Sequence, residues 1–215
     1  MKIIENKNNQ IREYIDQAKY LGYYLAAASL KREIGNIYKY YFKNKAKAKE
    51  NYLAAIEFCD NNTKKGNEQY TETLINICIE MEQYETSYSI FKILTQKQIE
   101  YCLKHKSSLI SPYREFAKYC IILEKWDEAE KWMKQFKEAW KNENGDYPDE
   151  YLLALDFFTK GVKMKDVKLI EKGLLKYHVT KIEDEWIIEH EIDQQIRDKM
   201  ENFLEQLKAQ KTKNR

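Results

Sequence analysis

Residues 34–55, IGNIYKYYFKNKAKAKENYLAA, decide the fold. Ile34, Tyr38, Tyr41 and Phe42 recur at helical spacing, and so do Ala48, Tyr52 and Ala55. Between the two sets, Lys43-Asn44-Lys45 reads as a turn. Two helices joined by so short a connection are neighbours in space. Outward from this pair the pattern continues. Upstream, Ile11, Tyr14, Ile15, Ala18, Leu21, Leu25 and Ala28 extend the apolar stripe, as one long helix over 8–43 or as two broken near Gly22. Downstream, the polar run Asn61–Asn67 is a loop, and helices are predicted over 68–81 and 84–103. Ser111-Pro112 reads as an N-cap followed by proline at the first helical position. Helices then run to Leu123 and from Trp126 to Trp140. Residues 142–147 form a second loop, and Pro148-Asp149-Glu150 opens the next helix with two acids in its first turn. Its partner spans 166–177, and a last helix spans 182–207. No stretch alternates with period two, so no sheet is expected.

Composition agrees. Six glycines and two prolines in 215 residues are too few for the turns of a sandwich, barrel or doubly wound sheet. The expectation is an all-α fold of about eight or nine helices, one domain over 1–210 with hairpins near 20–60, 67–104, 111–141 and 148–178, and a flexible tail at 208–215. The formal charge of +2 gives no electrostatic footprint for nucleic acid. Charge does vary: roughly +4 over the first 60 residues, roughly −5 over 141–195 and roughly +3 over the last 20. The first residues lack the apolar stretch of a signal peptide. The longest uncharged run, Tyr20–Leu30, is about half a membrane span. Cys59, Cys78, Cys102 and Cys120 form no CxxC pair and read as reduced core residues. A cytoplasmic protein without a membrane partner is expected.

The helix pairs repeat. Ile34-Gly35 and Tyr38, then Ala48, Tyr52 and Ala55, make the first unit. Leu74 and Cys78, then Tyr84, Ser87, Phe91 and Leu94, make the second. Phe116-Ala117 and Cys120, then Trp126, Ala129, Met133 and Phe136, make the third. Phe157 and Gly161, then Val167, Ile170, Leu174 and Tyr177, make a weaker fourth. This pattern resembles the tetratricopeptide-repeat family over roughly residues 28–178, with a period of about 40 instead of the usual 34. The resemblance implies a right-handed stack of antiparallel helical hairpins, an α-solenoid. Small residues near the start of each second helix let the pair approach, and the larger ones that follow fill the groove against the next pair.

Catalytic and metal motifs are missing. His105, His178 and His190 form no HExxH, and none sits near a cysteine at zinc spacing. His178 and His190 each lie near acids, which leaves a metal site conceivable, although solvated helix-end histidines fit better. There is no GxxxxGK[ST] or GxGxxG loop, and no Arg-x4-6-His motif of an all-α nuclease. Glu183, Asp184, Glu185, Glu189 and Glu191 form an acidic cluster that reads as a solvated helix face or, with Trp186, as a docking patch for a basic partner. No cofactor, metal or catalytic residue is assigned.

The tetratricopeptide resemblance implies a groove lined by the first helix of each hairpin. That face would carry Arg32, Asn36 and Tyr40, then Asn76 and Glu80, then Arg114 and Lys118. Arg32 with Asn36 resembles half of the family's carboxylate clamp, whereas Glu72 would repel an acidic ligand there. Seventeen tyrosines and four tryptophans are either interface aromatics, with Tyr23, Tyr40, Tyr101, Tyr113, Trp132 and Trp186 as candidates, or the bias of an AT-rich genome. The function expected is non-catalytic binding of one protein partner. Residues 152–178, ending Lys-Gly-Leu-Leu-Lys-Tyr-His, resemble helical immunity families of bacterial polymorphic toxins such as Imm49. That resemblance implies an immunity protein that occludes a cognate toxin. The alternatives are a peptide-sensing regulator or adaptor and an all-α enzyme with an unrecognised site.

Overall fold

A computed structural model describes residues 2–21, 24–61, 68–81, 87–146, 149–183 and 191–213. Among them there is no strand, and ten α-helices follow one another. They are α1 (Lys2–Leu21), α2 (Tyr24–Asn36), α3 (Lys45–Asp60), α4 (Glu68–Glu80), α5 (Ser87–His105), α6 (Ile110–Ile122), α7 (Trp126–Asn144), α8 (Glu150–Met164), α9 (Val167–Glu183) and α10 (Glu191–Lys213). A π-helical turn, Ile37–Tyr41, continues α2. Lys7 and Asn8 of α1 meet Glu33 and Lys31 of α2, which one continuous helix could not allow, so the stretch left open as one helix or two is two, and α1 starts nine residues before the first stripe residue, Ile11. No helix among the described residues is long and apolar enough to cross a membrane.

Local chemistry sets most of these ends. The Asn44 side chain caps α3 by accepting from Lys47 N at 3.1 Å, and Asp149 caps α8 by accepting from Leu152 N at 2.8 Å. Asp166 does the same for α9, accepting from Lys168 N at 2.9 Å. Three expectations need correction. Ser111 is not an N-cap: α6 begins at Ile110, and Ser111 lies inside its first turn. Pro112 is tolerated there because the first four N–H groups of a helix have no intrahelical acceptor. Helix α9 runs on through Ile182 to Glu183, and the described part of the last helix, α10, begins at Glu191. Its helical hydrogen bonding continues to Lys213, past the point where the apolar stripe stops. Backbone bonds carry a helix further than side-chain pattern alone reveals.

The chain divides into two compact units, Met1–Ser107 and Ser108–Arg215. In the first, α2 packs on α1, α3 and α4, and α4 packs on α3 and α5. In the second, α6 packs on α7, α7 on α8, and α8 on α9, while α10 lies against α6 and α9. The positions expected at close approaches, Ala48, Ser87, Ala129 and Ile170, are all buried. All four cysteines are buried free thiols, and burial pushes the Cys59 and Cys78 thiols well above their ordinary pKa.

Candidate functional site

In Met1–Ser107 the sequence between α2 and α3 leaves aromatic surface in water. A π turn holds one residue more than an α turn, so its side chains advance out of step with the helix before it. Phe42 N donates to Ile37 O at 3.1 Å and Asn44 N to Tyr38 O at 2.8 Å, closing this wide turn. Tyr41 is 82% exposed, Tyr40 54% and Phe42 44%. Phe42 holds the group together, edge-on to Tyr41 at 5.2 Å and tilted against Tyr38 at 5.7 Å. Lys47 Nζ stands over the Tyr38 ring at 5.3 Å.

This turn forms one wall of an open cleft of about 650 Å³. Ile4, Asn8 and Arg12 of α1 face Tyr38, Phe42, Asn44 and Lys47 across it. Glu80, the last residue of α4, anchors the turn. Its carboxylate accepts from Tyr40 OH at 2.8 Å and lies 3.5 Å from Lys39 Nζ, which also donates to Glu80 O at 2.9 Å. Burial alone would lower the Lys39 pKa, but its contacts with Tyr40 and Glu80 outweigh it and raise it. A cation bonded to a C-terminal carbonyl of a helix is the favourable polarity.

Ser108–Arg215 carries the other polar cluster, and it is closed. Asp193, 2% exposed, sits in α10. Its Oδ1 accepts from Tyr151 OH at 2.5 Å and Tyr177 OH at 2.8 Å, and lies 3.2 Å from Lys118 Nζ. Lys118 reaches back 3.4 Å to Glu115, whose Oε1 also takes Arg114 Nε at 2.7 Å. Burial raises the carboxyl pKa of Asp193, yet Lys118 and the two tyrosine hydroxyls bring it below the ordinary value. Burial, then the Asp193 charge, pushes both tyrosines well above theirs.

The residues expected to line a groove are thus largely engaged within the protein. Asn36 accepts from Tyr52 OH at 2.6 Å, Tyr40 is bonded to Glu80, and Arg32 and Asn76 are half-buried. Arg114 and Lys118 come together, but around Glu115 and Asp193. Glu183 ends α9, while Asp184, Glu185, Trp186, Glu189 and His190 lie outside the described residues, as does Tyr23. Tyr101, Tyr113 and Trp132 are half-buried, and Trp132 stacks on Phe116 at 4.1 Å. Among the described residues no three His, Cys, Asp or Glu side chains gather as metal ligands would. No family model, curated protein or solved structure matches the chain.

The cleft residues Ile4, Asn8, Arg12, Phe42 and Lys47 escaped the sequence reading. Their signal was the triplet Tyr40-Tyr41-Phe42, since three consecutive aromatics cannot all face one side of a helix.

Proposed function

We propose that this chain is a non-catalytic helical-repeat protein, a right-handed stack of antiparallel hairpins, that binds one protein partner. The observation that carries the reading is the exposed aromatic turn Tyr40-Tyr41-Phe42 beside an open cleft. Rigid aromatics at the rim of a concave surface suit a binding hot spot, because they bury large area at little conformational cost. Within this class we favour a cognate toxin as the partner, on the resemblance of residues 152–178 to immunity proteins. Occlusion of the toxin's active site needs surface complementarity and no chemistry from the chain itself. The same cleft also suits a short peptide, which favours a peptide-sensing regulator as the second reading.

Co-expression with a toxin domain encoded beside this gene tests the proposal. The chain is expected to restore growth and to co-elute with the toxin. The double variant Tyr41→Ala/Phe42→Ala should weaken the complex by about 30-fold or more. A folded chain that neither protects nor binds, and that turns over a small substrate instead, overturns the reading.

A further inference from the structure

We infer that the segment docking into this cleft is an acidic peptide stretch of the partner, with an aromatic or long apolar side chain set among its carboxylates. The inference rests on the binding reading above and adds the partner's chemistry. Residues 24–49 contain seven lysines and arginines and a single acid, Glu33. That acid is already paired with Lys7. Lys39 is committed to Glu80. Among the described residues no carboxylate pairs with Arg12, Lys43 or Lys47, and all three are exposed. Arg12 and Lys47 line the cleft, and Lys43 stands in sequence between two lining residues, Phe42 and Asn44. Among the described residues Glu5 is the one acid on the lining.

Two further features point the same way. Asn8 and Asn44 spend their carboxamide oxygens inside the protein, on Lys31 Nζ at 3.3 Å and Lys47 N at 3.1 Å. Their NH2 groups remain as donors on the cleft wall, matched to carboxylate or carbonyl oxygens. The first turn of α3 contains Lys45 and Lys47 and no acid, whereas α7 opens with Asp127 and Glu128 and α8 with Glu150. Cations beside a helix N-terminus work against the macrodipole, and a bound carboxylate reverses that penalty. The apolar part of the ligand is set by Ile4 and Phe42, which would hold one side chain between flanking charges. A nucleic-acid strand is the poorer match, because it needs a run of cations along its backbone and would meet Glu5 here.

Fluorescence anisotropy with the full chain tests this. The probes are a labelled ten-residue peptide with a central Trp flanked by Glu and Asp, its Gln/Asn version, its Lys version and a twelve-nucleotide oligo(dT). The acidic peptide is expected to bind about tenfold or more tighter than the amide version and to weaken with salt. Lys43→Glu/Lys47→Glu and, separately, Phe42→Ala should each cost about tenfold, and Glu5→Gln should tighten binding, all in chains that still unfold cooperatively on heating. Equal binding of the amide or Lys peptide, tighter binding of oligo(dT), or no binding by any probe overturns the inference. If a toxin complex forms and ignores Lys43→Glu/Lys47→Glu, the protein-binding reading stands and the acidic segment falls. If neither toxin nor peptide binds, both fall.

Discussion

In Ser108–Arg215 the cations of a hairpin's first helix point inward: Lys118 of α6 lies under α10 with Asp193 against it, and Arg114 holds Glu115. In Met1–Ser107 Lys39 is likewise held by Glu80, but Lys43 of the turn and Lys47 of α3 stay on the surface with the aromatics beside them, Tyr41 being 82% exposed. Helix α10 brings Ile196, Met200 and Leu204 into the core of its unit, so the Asp193 carboxylate is carried into a site built for an anion. Lys118, Tyr151 and Tyr177 hold Asp193 much as a carboxylate-binding groove would hold a ligand, except that the ligand is part of the chain. A cation that has a carboxylate inside its own unit, as Lys118 has Asp193, adds to stability, whereas no carboxylate among the described residues pairs with Lys43 or Lys47. On the proposal above, that contrast favours the first unit as the docking surface.

The strongest way to break the comparison is to remove the internal carboxylate. Asp193→Ala leaves two tyrosine hydroxyls without their acceptor and leaves the buried Lys118 only Glu115, which it shares with Arg114, so it should cost about 3 kcal/mol in urea unfolding. The pH dependence has a definite sign. The Asp193 carboxyl is held below its ordinary value near 4 in the folded chain, so the unfolded chain binds this proton more tightly. The stability it contributes is complete above about pH 5 and is lost as pH falls through 4 toward the folded value. Asp193→Asn should flatten that acid limb. An acid limb unchanged in Asp193→Asn would show that the cluster is not the charged lock described here.

Next in size are two close approaches, one in each unit. A Cβ at Gly161 would stand 2.9 Å from the backbone N of Ile170, and one at Gly35 would stand 2.6 Å from Cε1 of the fully buried Tyr52 ring. The Tyr52 ring cannot swing aside, because its hydroxyl is bonded to Asn36. Gly161→Ala and Gly35→Ala should each cost about 1–3 kcal/mol, read as a fall in the thermal midpoint. A tolerated Gly35→Ala alone would mean that the first unit is the more loosely packed of the two.

Those positions also show how far the sequence could be read. Gly35, Ala48 and Ala129 were legible because helix period and residue size coincide there: small residues recur where helices must touch. The fourth pair hid the same rule by exchanging partners, with Ile170 large and Gly161 small across one contact. Tyr41 and Phe42 fitted the apolar stripe on paper, but the π turn shifts their register and turns them to water. Asp193 was less legible still. It stands at the end of a run of acids that looks solvated, and only the packing of α10 on α6 takes it inside. Periodicity reports which face of a helix is apolar, not which distant helix will cover a polar one.

A smaller effect checks that the units share one architecture. Lys106 after α5 and Lys165 after α8 both adopt left-handed backbone, with φ of 54° and 53°, where helices commonly place glycine. Lys106→Gly and Lys165→Gly should each stabilise the chain by about 1 kcal/mol, since only the Cβ strain is relieved. A gain in one unit alone would mean that the other end is held by something besides its backbone.

The smallest effect carries the most weight for function. Tyr41 contributes its ring to a contact with Phe42 and otherwise faces solvent, so Tyr41→Ala should change unfolding stability by no more than about 0.5 kcal/mol. Trp132, stacked on Phe116 at 4.1 Å, supplies the contrast, because truncating a ring inside a packed face should cost several times more. If Tyr41→Ala destabilised the chain as much as Trp132→Ala, the exposed turn would be holding the fold together. Its aromatics would then need no partner to account for them. A silent substitution at Tyr41 leaves a large apolar ring in water that folding does not use, and that ring is what a docking partner would bury.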